Sequence, residues 1–176
     1  NVPFDTAGNT NRIQFRVQDM FGNLGTSGSY TVTIDKLSLV QGRVTLNDYI
    51  GSLTGIPLTI MLYNGAALVE TQITPLNATG NYSVWFANKG GTLVRVKTPT
   101  HLTESVATSL SSLAPNNLSW TMRFNGDGDG DNTIALADLN KVLVNFGGAG
   151  ADYNGSGVTD LPDMNVVLLN FGKVGS

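Results

Sequence analysis

Residues 127–138 read Asp-Gly-Asp-Gly-Asp-Asn-Thr-Ile-Ala-Leu-Ala-Asp, and residues 152–163 read Asp-Tyr-Asn-Gly-Ser-Gly-Val-Thr-Asp-Leu-Pro-Asp. The two segments are copies of one pattern, and they lie 25 residues apart. The ten residues from Asp138 and the ten from Asp163 also align without gaps, with seven identical positions, and both runs end in Phe-Gly. A glycine after an apolar residue is a common helix stop, so each copy predicts a polar loop followed by a short helix.

Oxygen-bearing residues recur in both loops at the spacing by which an EF-hand-type loop wraps a calcium ion. Positions 1, 3, 5 and 12 carry side-chain oxygens, position 7 offers its backbone carbonyl, and position 9 acts through water or, in the second loop, through Asp160. Position 6 requires a positive φ, and Asn132 and Gly157 occupy it. The predicted ligands of two calcium ions are Asp127, Asp129, Asp131, Thr133 and Asp138 in loop 1 (residues 127–138), and Asp152, Asn154, Ser156, Val158, Asp160 and Asp163 in loop 2 (residues 152–163).

The paired arrangement of residues 124–174 resembles the type I dockerin module of bacterial extracellular proteins. The resemblance implies a small α module of two EF-hand-like repeats with the calcium ligands given above. Dockerins bind cohesin domains through hydroxyl residues at loop positions 10 and 11 and through basic residues about a turn and a half further on. This chain instead has Leu136-Ala137 and Leu161-Pro162, followed by Leu143-Val144 and Leu168-Leu169. The calcium scaffold therefore transfers from the family, whereas standard cohesin recognition does not.

Composition limits the partners and the sources of stability. The chain of 176 residues has no cysteine, so neither disulfides nor thiol chemistry are available, and bound metal becomes an expected source of stability. The net charge is −3, and seven of the thirteen acidic residues lie in the two loops. No basic cluster with interleaved aromatic residues occurs, which argues against a nucleic-acid partner, and no apolar run is long enough to span a membrane.

Residues 37–123 predict a β domain. The predicted strands, separated by Gly, Pro and Asn breaks, are 39–47, 57–64, 67–74, 81–87, 92–98, 101–108 and 117–124. Seven short strands at this spacing suit a β-sandwich. The run Val40-Gln-Gly42-Arg-Val44, then Pro57-Leu-Thr-Ile-Met-Leu, then Gly80-Asn-Tyr82-Ser-Val84 resembles carboxypeptidase-regulatory-like domains. That resemblance implies a small sandwich placed before the loop pair.

Residues 12–18 alternate as a strand does, with Ile13, Phe15 and Val17 on one face, and residues 30–35 repeat the pattern with Tyr30, Val32 and Ile34 inward, which predicts a half-buried antiparallel hairpin. Together with a turn at 19–23, they resemble the last part of a bacterial immunoglobulin-like repeat. A complete domain of that kind needs about seven strands, and 36 residues leave room for about three. Two explanations stay open: the missing strands belong to an upstream segment or to the next domain, or a neighbouring subunit supplies them.

Residues suited to catalysis are few. His101 is the only histidine, and it has no nucleophile motif nearby. The carboxylates outside the loops are Asp5, Asp19, Asp35, Asp48, Glu70 and Glu104. Nothing in the sequence pairs two of them across a cleft, as a glycosidase requires. The sequence therefore predicts no enzyme. Trp85 and Trp120, which could stack on a sugar, lie in alternating strands and are expected in the core.

The two helices carry matching apolar stripes, which are expected to pack the helices together. The stripes are Leu136, Leu139, Val142, Leu143 and Phe146 in the first helix, and Leu161, Met164, Val167, Leu168 and Phe171 in the second. The second helix has an additional stripe formed by Pro162, Val166 and Leu169. This extra apolar face must be covered either by the chain's own sandwich or by a neighbouring subunit.

The fold expected from these patterns is mainly β, with Ig-like β-sandwich units followed by a small α module of two EF-hand-like calcium loop–helix repeats. The predicted domains are 1–36, 37–123 and 124–176. The predicted function is a non-enzymatic, calcium-binding structural protein of the bacterial surface or exterior. It assembles with other protein subunits, as a homopolymer, through β-strand complementation and apolar helix contacts. The alternative is a docking or carbohydrate-binding accessory module of a larger secreted enzyme, with cohesin or polysaccharide as partner.

Overall fold

The structure, a computed structural model, describes residues 11–32, 37–87 and 90–176. It is mainly β with two short helices. The described residues form two compact units, and the boundary follows residue 36. Asp5, Ile34 and Asp35 lie outside the described residues. Residues 37–123 and 124–176, which the sequence predicts as separate domains, fall within the same compact unit.

In the described part of the first unit, residues 11–32, four short strands form two antiparallel pairs. β1 (Asn11–Ile13) pairs with β4 (Tyr30–Val32), and β2 (Arg16–Gln18) pairs with β3 (Leu24–Thr26). The predicted turn at 19–23 lies between β2 and β3. In it, the Asp19 carboxylate accepts the N–H groups of two later residues of the turn at 2.9 Å each.

The apolar side chains of the first unit are more exposed than the alternating pattern predicts. Phe15, Val17 and Tyr30 are all more than half exposed, although the pattern places them on inward faces. The reason is the number of strands: two-stranded pairs bury little apolar surface unless another layer covers them.

The second unit contains two sheets. Its strands are β5 (Leu37–Leu46), β6 (Pro57–Asn64), β7 (Ala67–Pro75), β8 (Asn81–Ala87), β9 (Leu93–Lys97), β10 (Glu104–Ala107), β11 (Asn116–Asn117) and β12 (Trp120–Met122). One sheet is antiparallel in the order β10-β9-β6-β7. In the other, β5 pairs antiparallel with β8 on one side and parallel with β11 and β12 on the other. The sequence patterns did not indicate the parallel pairing.

A single apolar core lies between these sheets. Alternate residues of β6 and β9 point into it, including Leu58, Ile60 and Val96, which are fully buried. Trp120 is only 8% exposed and donates from Nε1 to the Tyr82 hydroxyl at 3.0 Å, as expected for a core tryptophan. Trp85 is 55% exposed, so its predicted core position is wrong. The alternation of β8 turns Tyr82 and Phe86 inward and therefore turns Trp85 outward.

One predicted strand is shorter than expected because its first residues contact Phe124 and Asn125, just before loop 1. The predicted strand 101–108 begins only at Glu104. His101 forms an isolated bridge with Asn125, and the Leu102 N–H donates to the Phe124 carbonyl at 2.9 Å. Leu102 is consequently buried in a second core, among the loops and helices.

The two helices, α1 (Leu136–Val144) and α2 (Leu161–Leu169), each begin inside a predicted calcium loop. In both, the third helical residue is an aspartate that accepts the N–H of the residue preceding the helix: Asp138 from Ala135 at 2.7 Å and Asp163 from Asp160 at 2.9 Å. A carboxylate at the third helical position that accepts this N–H is half of a capping box and satisfies a backbone donor at the helix start. Among the described residues, no helix is long and apolar enough to cross a membrane.

The predicted packing of the helix stripes is wrong for most of their members. Val142, Val166 and Val167 are buried in the second core, whereas six predicted stripe residues are about half exposed or more: Leu136, Leu143, Phe146, Leu161, Leu168 and Phe171. Residues outside the helices, such as Ile134 and Tyr153, belong to the same core, and Leu139 and Met164 of the predicted stripes pack against it.

Candidate metal centres in the paired loops

Loop 1 brings three predicted ligands together. Asp127, Asp129 and Asp131 each offer a carboxylate oxygen, and these oxygens lie within 4.8 Å of one another. Calcium binds oxygens at about 2.3–2.6 Å, so oxygens that share one ion lie at most about 5 Å apart. The spacing of the three carboxylates therefore fits a common calcium ion.

Backbone hydrogen bonds hold these carboxylates in a curled loop. Asp127 accepts the N–H groups of Gly130 at 2.9 Å and Asn132 at 3.1 Å. Asp129 accepts the N–H of Asp131 at 3.1 Å, and Asp131 accepts that of Thr133 at 2.7 Å. Asn132 has a φ of +71°, which is the positive φ predicted for position 6.

Asp138, at position 12, closes loop 1 against its own start. It is fully buried, and its Oδ1 accepts the N–H groups of Gly128 at 2.7 Å and Asp129 at 3.2 Å. A buried carboxylate requires partners of this kind, because its desolvation is costly. Loop 1 thus brings three predicted ligand carboxylates together, and Asp138 is hydrogen-bonded to the backbone of the same loop.

Loop 2 repeats this architecture with fewer charges. Asp152 accepts the N–H groups of Ser156 at 2.9 Å and Gly157 at 2.8 Å, and Gly157 has a φ of +100°. The Ser156 hydroxyl oxygen lies 3.5 Å from Asp152 Oδ1 and 3.1 Å from the Val158 carbonyl oxygen. Positions 1, 5 and 7 are therefore close enough to share an ion.

Positions 3 and 12 of loop 2, Asn154 and Asp163, make the same hydrogen bond as positions 3 and 12 of loop 1. Asn154 accepts the Ser156 N–H at 2.8 Å through Oδ1, and its own N–H donates to Asp163 Oδ1 at 2.9 Å. Asp163 is fully buried, as Asp138 is. The position-12 carboxylates thus make the same contact to position 3 in both loops.

An orphaned oxygen in loop 2 supports a cation there. Asp160 Oδ1 is inaccessible to solvent and has no hydrogen-bond partner among the described residues. Burial, followed by the negative charge of Asp163, a hydrogen bond with the Asp163 carboxyl group and the charge of Asp152, raises the pKa of the Asp160 carboxyl. A divalent cation would satisfy the oxygen and relieve the repulsion, so the residues present fit calcium, a hard cation that prefers oxygen ligands.

The structure adds Lys97 to the surroundings of loop 1, a residue that the sequence patterns did not indicate. Its ammonium group forms an ion pair with Asp127 Oδ2, the oxygen that also accepts the Asn132 N–H. Lys97 ends strand β9 and precedes Asp127 by 30 residues. No local spacing rule links two residues that far apart, so only the fold reveals the pair.

Both loops are anchored on the sandwich by buried polar side chains. The Asn125 amide nitrogen donates to the Tyr153 carbonyl at 2.6 Å and to the Asp48 carbonyl at 3.1 Å. The Ile50 N–H donates to the Asn154 carbonyl at 2.7 Å. The Thr103 hydroxyl donates to Asn132 Oδ1 at 2.6 Å. These contacts tie the first half of loop 2 and position 6 of loop 1 to the β domain.

His101 lies at the same junction and is almost fully buried. Its Nε2 donates to the Asn47 carbonyl at 3.0 Å, and its Nδ1 accepts from the Thr98 hydroxyl at 3.1 Å. Burial lowers its pKa to about 4. Both ring nitrogens thus serve packing contacts, and the absence of enzymatic activity stays a prediction.

Each helix also exposes a matched set of apolar side chains. We call them the helix-face residues: Leu136, Leu143, Val144 and Phe146 on and after α1, and Leu161, Leu168, Leu169 and Phe171 on and after α2. The most exposed are Leu169 at 78% and Val144 at 75%. Single exposed apolar residues are ordinary on protein surfaces, but a duplicated set marks a candidate contact surface.

No protein-family model matches the chain, and no curated protein matches it. Among solved structures, it is similar to a chain in the crystal structure of a type II cohesin–X-dockerin complex from Acetivibrio cellulolyticus, an N-terminal interface mutant. The TM-score is 0.59 and the sequence identity 21%, over 78% of this chain and 97% of that chain. At this identity, the likeness shows a shared fold alone. The dockerin-like assignment of residues 124–174 stays a prediction.

Two further structures match with lower scores. One is S.CueP, with a TM-score of 0.36 and 15% identity over 67% of this chain and 79% of that chain. The other is a DUF3823 family protein from Parabacteroides merdae, with a TM-score of 0.34 and 16% identity over 51% of this chain and 46% of that chain. These scores are too low to support a structural argument.

Proposed function

We propose that this chain is a non-enzymatic, calcium-binding structural protein of the bacterial surface or exterior that docks to other protein subunits. The observation that carries the proposal is the matched set of helix-face residues, four on each helix, next to a loop whose oxygens suit calcium. Calcium would fix the start of each helix, because each helix begins inside a loop. The ion would thereby hold the apolar side chains in a geometry that a partner can recognise.

The size of the apolar set favours docking. Burying one leucine or phenylalanine side chain contributes about 1.5–3 kcal/mol, so a few of the helix-face residues can support a stable contact. Four of them, at 143–144 and 168–169, occupy the places where the resemblance to dockerins locates recognition residues. The likeness in fold to a chain of a cohesin–X-dockerin complex gives independent support for a docking role.

The preferred partner is a second copy of this chain, in an assembly that grows as a polymer. The first unit supports this choice because Phe15, Val17 and Phe21 are also exposed, on or beside short strand pairs with uncovered faces. Strand complementation by a neighbouring subunit would cover such faces. Two separate contact surfaces on one chain generate an open polymer rather than a closed dimer.

The test is the molar mass of the chain, measured by light scattering after size exclusion in calcium and in excess chelator. Calcium should favour assemblies, and chelator should dissolve them. Leu143→Asp combined with Leu168→Asp should reduce the molar mass of the assemblies in calcium to what strand complementation alone can hold together. Leu113→Asp, at a 91% exposed position outside the helices, should leave assembly unchanged and is the matched control. Assemblies that persist in chelator would contradict the proposal.

The alternative is an accessory docking module of a larger secreted enzyme, which the fold likeness specifically favours. It predicts a monomer at all calcium levels that binds an immobilised type II cohesin in calcium and is released by chelator. A polysaccharide partner predicts instead that retention in a polysaccharide gel is lost in Trp85→Ala, since Trp85 is the exposed tryptophan of the described residues. A monomer that passes either assay would replace the homopolymer as the preferred function.

A further inference from the structure

Tyr153, at position 2 of loop 2, carries a buried hydroxyl group that the packing does not explain. The residue is 2% exposed, yet its hydroxyl has no hydrogen-bond partner among the described residues. Leaving a buried donor without a hydrogen-bond partner destabilises the folded state. Phenylalanine would fill the same space without this cost, so the hydroxyl itself requires an explanation.

The hydroxyl points away from its own loop and toward loop 1. A Cβ atom added at Gly128, position 2 of loop 1, would overlap the Tyr153 hydroxyl oxygen, so the group lies directly against the loop 1 backbone. After burial, the carboxylates of Asp138, Asp129 and Asp127 are the largest causes that raise the pKa of Tyr153. The negative charges of three of the four acidic ligands predicted for loop 1 therefore act on this unpartnered group, which lies against the backbone of that loop.

Loop 1 also lacks a side-chain oxygen at position 9, one of the places from which an EF-hand-type loop reaches its ion. Position 9 is Ala135, where loop 2 has Asp160, so loop 1 offers one side-chain oxygen fewer at that place. Calcium takes six to eight oxygens and completes its shell with water where the protein supplies too few. A water held by the ion needs hydrogen-bond acceptors or donors around it, and a buried hydroxyl without a partner is suited to that role.

We propose that Tyr153 is a positioning residue for the cation of loop 1, and that its hydroxyl hydrogen-bonds to a water molecule on that ion. Loop 2 thus contributes one group to the site of loop 1. The reverse contribution does not exist, because the equivalent residue of loop 1 is Gly128. The inference rests on the proposed calcium binding and adds to it an asymmetry between the two sites.

The test uses the full chain with Tyr153→Phe, titrated with calcium against a chelator of known affinity. Nuclear magnetic resonance follows the amides of Asn132 and Gly157, which occupy position 6 of each loop and donate to the position-1 carboxylates. The Asn132 midpoint should move to about tenfold higher free calcium, the usual effect of losing a group that supports a metal ligand. The Gly157 midpoint should move less. Tyr49→Phe is the matched control: Tyr49 lies near Asp152, but its hydroxyl donates to the Ser52 carbonyl at 3.4 Å.

Thermal unfolding separates this role from a structural one. In chelator, Tyr153→Phe should unfold at the same temperature as the unmodified chain or higher, because the variant removes an unsatisfied hydroxyl. In calcium, it should unfold at a lower temperature. An unchanged Asn132 midpoint, equal shifts at both amides, or an equal loss of unfolding temperature in both conditions would overturn the inference alone. An unmodified chain that binds no calcium would overturn both this inference and the proposed function.

Discussion

Loop 1 and loop 2 have similar backbone hydrogen bonds but differ in how the negative charge of their carboxylates is balanced. Loop 1 has four predicted acidic ligands, and the ammonium groups of Lys97 and Lys141 contact it, the second through the Gly128 carbonyl at 2.5 Å. Loop 2 has three acidic ligands, and among the described residues none of them forms an ion pair. It retains instead the unsatisfied Asp160 Oδ1. The comparison teaches that the protein partly neutralises loop 1, whereas among the described residues loop 2 has no cationic partner and would depend on a bound cation for charge balance.

Removing calcium should have the largest effect, because it affects both loops at once. At a free calcium concentration one hundred times the dissociation constant, each site contributes about 2.7 kcal/mol to stability, or roughly 5 kcal/mol for two. Both loops are hydrogen-bonded to the sandwich, so residues 37–176 should unfold in one transition. Calorimetry in calcium and in chelator measures the shift. Two separate transitions, or an unfolding temperature that ignores chelator, would disprove this dependence.

Lowering the pH should destabilise the contact between the loops and the β domain, where His101 is buried. The pKa of His101 is about 4 in the fold against 6.5 for an ordinary histidine. Between pH 6.5 and pH 4, His101 is protonated in the unfolded chain but remains neutral in the folded chain. The free energy of unfolding that depends on neutral His101 is therefore fully present above pH 6.5 and is lost as the pH falls toward 4. The loss attributable to His101 is about 3 kcal/mol. Denaturant unfolding of the chain and of His101→Gln, at several pH values in chelator, isolates this contribution. Parallel pH profiles for the two chains would refute it.

Neutralising position 1 should affect the two loops unequally. In chelator, Asp127→Asn removes the partner of the Lys97 ammonium and should lower the free energy of unfolding by about 2 kcal/mol, below the 3–5 kcal/mol typical of fully buried pairs, because Lys97 is partly exposed. Asp152→Asn should cost less or even stabilise, because it relieves repulsion with Asp160. In calcium, both variants should lose stability through their own sites. Equal costs in chelator would remove the proposed difference in charge balance.

Local spacing was sufficient to predict the parts of the molecule that repeat within a few residues. The positive φ of Asn132 and Gly157 follows from a twelve-residue register, and the strands from β6 to β9 follow from period-two alternation. In β8, Tyr82 and Phe86 share the inward face, so the same alternation turns Trp85 outward, contrary to its predicted core position.

Contacts between distant segments could not be predicted in this way. The Lys97–Asp127 pair, the amide of Asn125 between Asp48 and Tyr153, and the direction of the Tyr153 hydroxyl all depend on how the sandwich meets the loops. The exposed helix-face residues have the same origin. Their spacing is that of a buried stripe, but the second core takes in other helix residues, such as Val142 and Val167, together with residues outside the helices.

Lys97→Met should have the smallest effect on stability, but it should distinguish most clearly between the calcium affinities of the two loops. The ammonium group attracts the loop 1 carboxylates when no ion is bound and repels a divalent ion when one is present. Its loss should therefore lower stability in chelator by about 1 kcal/mol and raise the calcium affinity of loop 1 several-fold, as expected for charges a few Å apart at a partly buried site. The affinity of loop 2 should not change. Lys97→Arg keeps the charge and should preserve both properties, and Lys141→Met, at an exposed position, should change them less. A fall in loop 1 affinity in Lys97→Met would mean that the ammonium group serves mainly to hold Asp127 in place for the ion, and the charge-balance account of the two loops would then have to be abandoned.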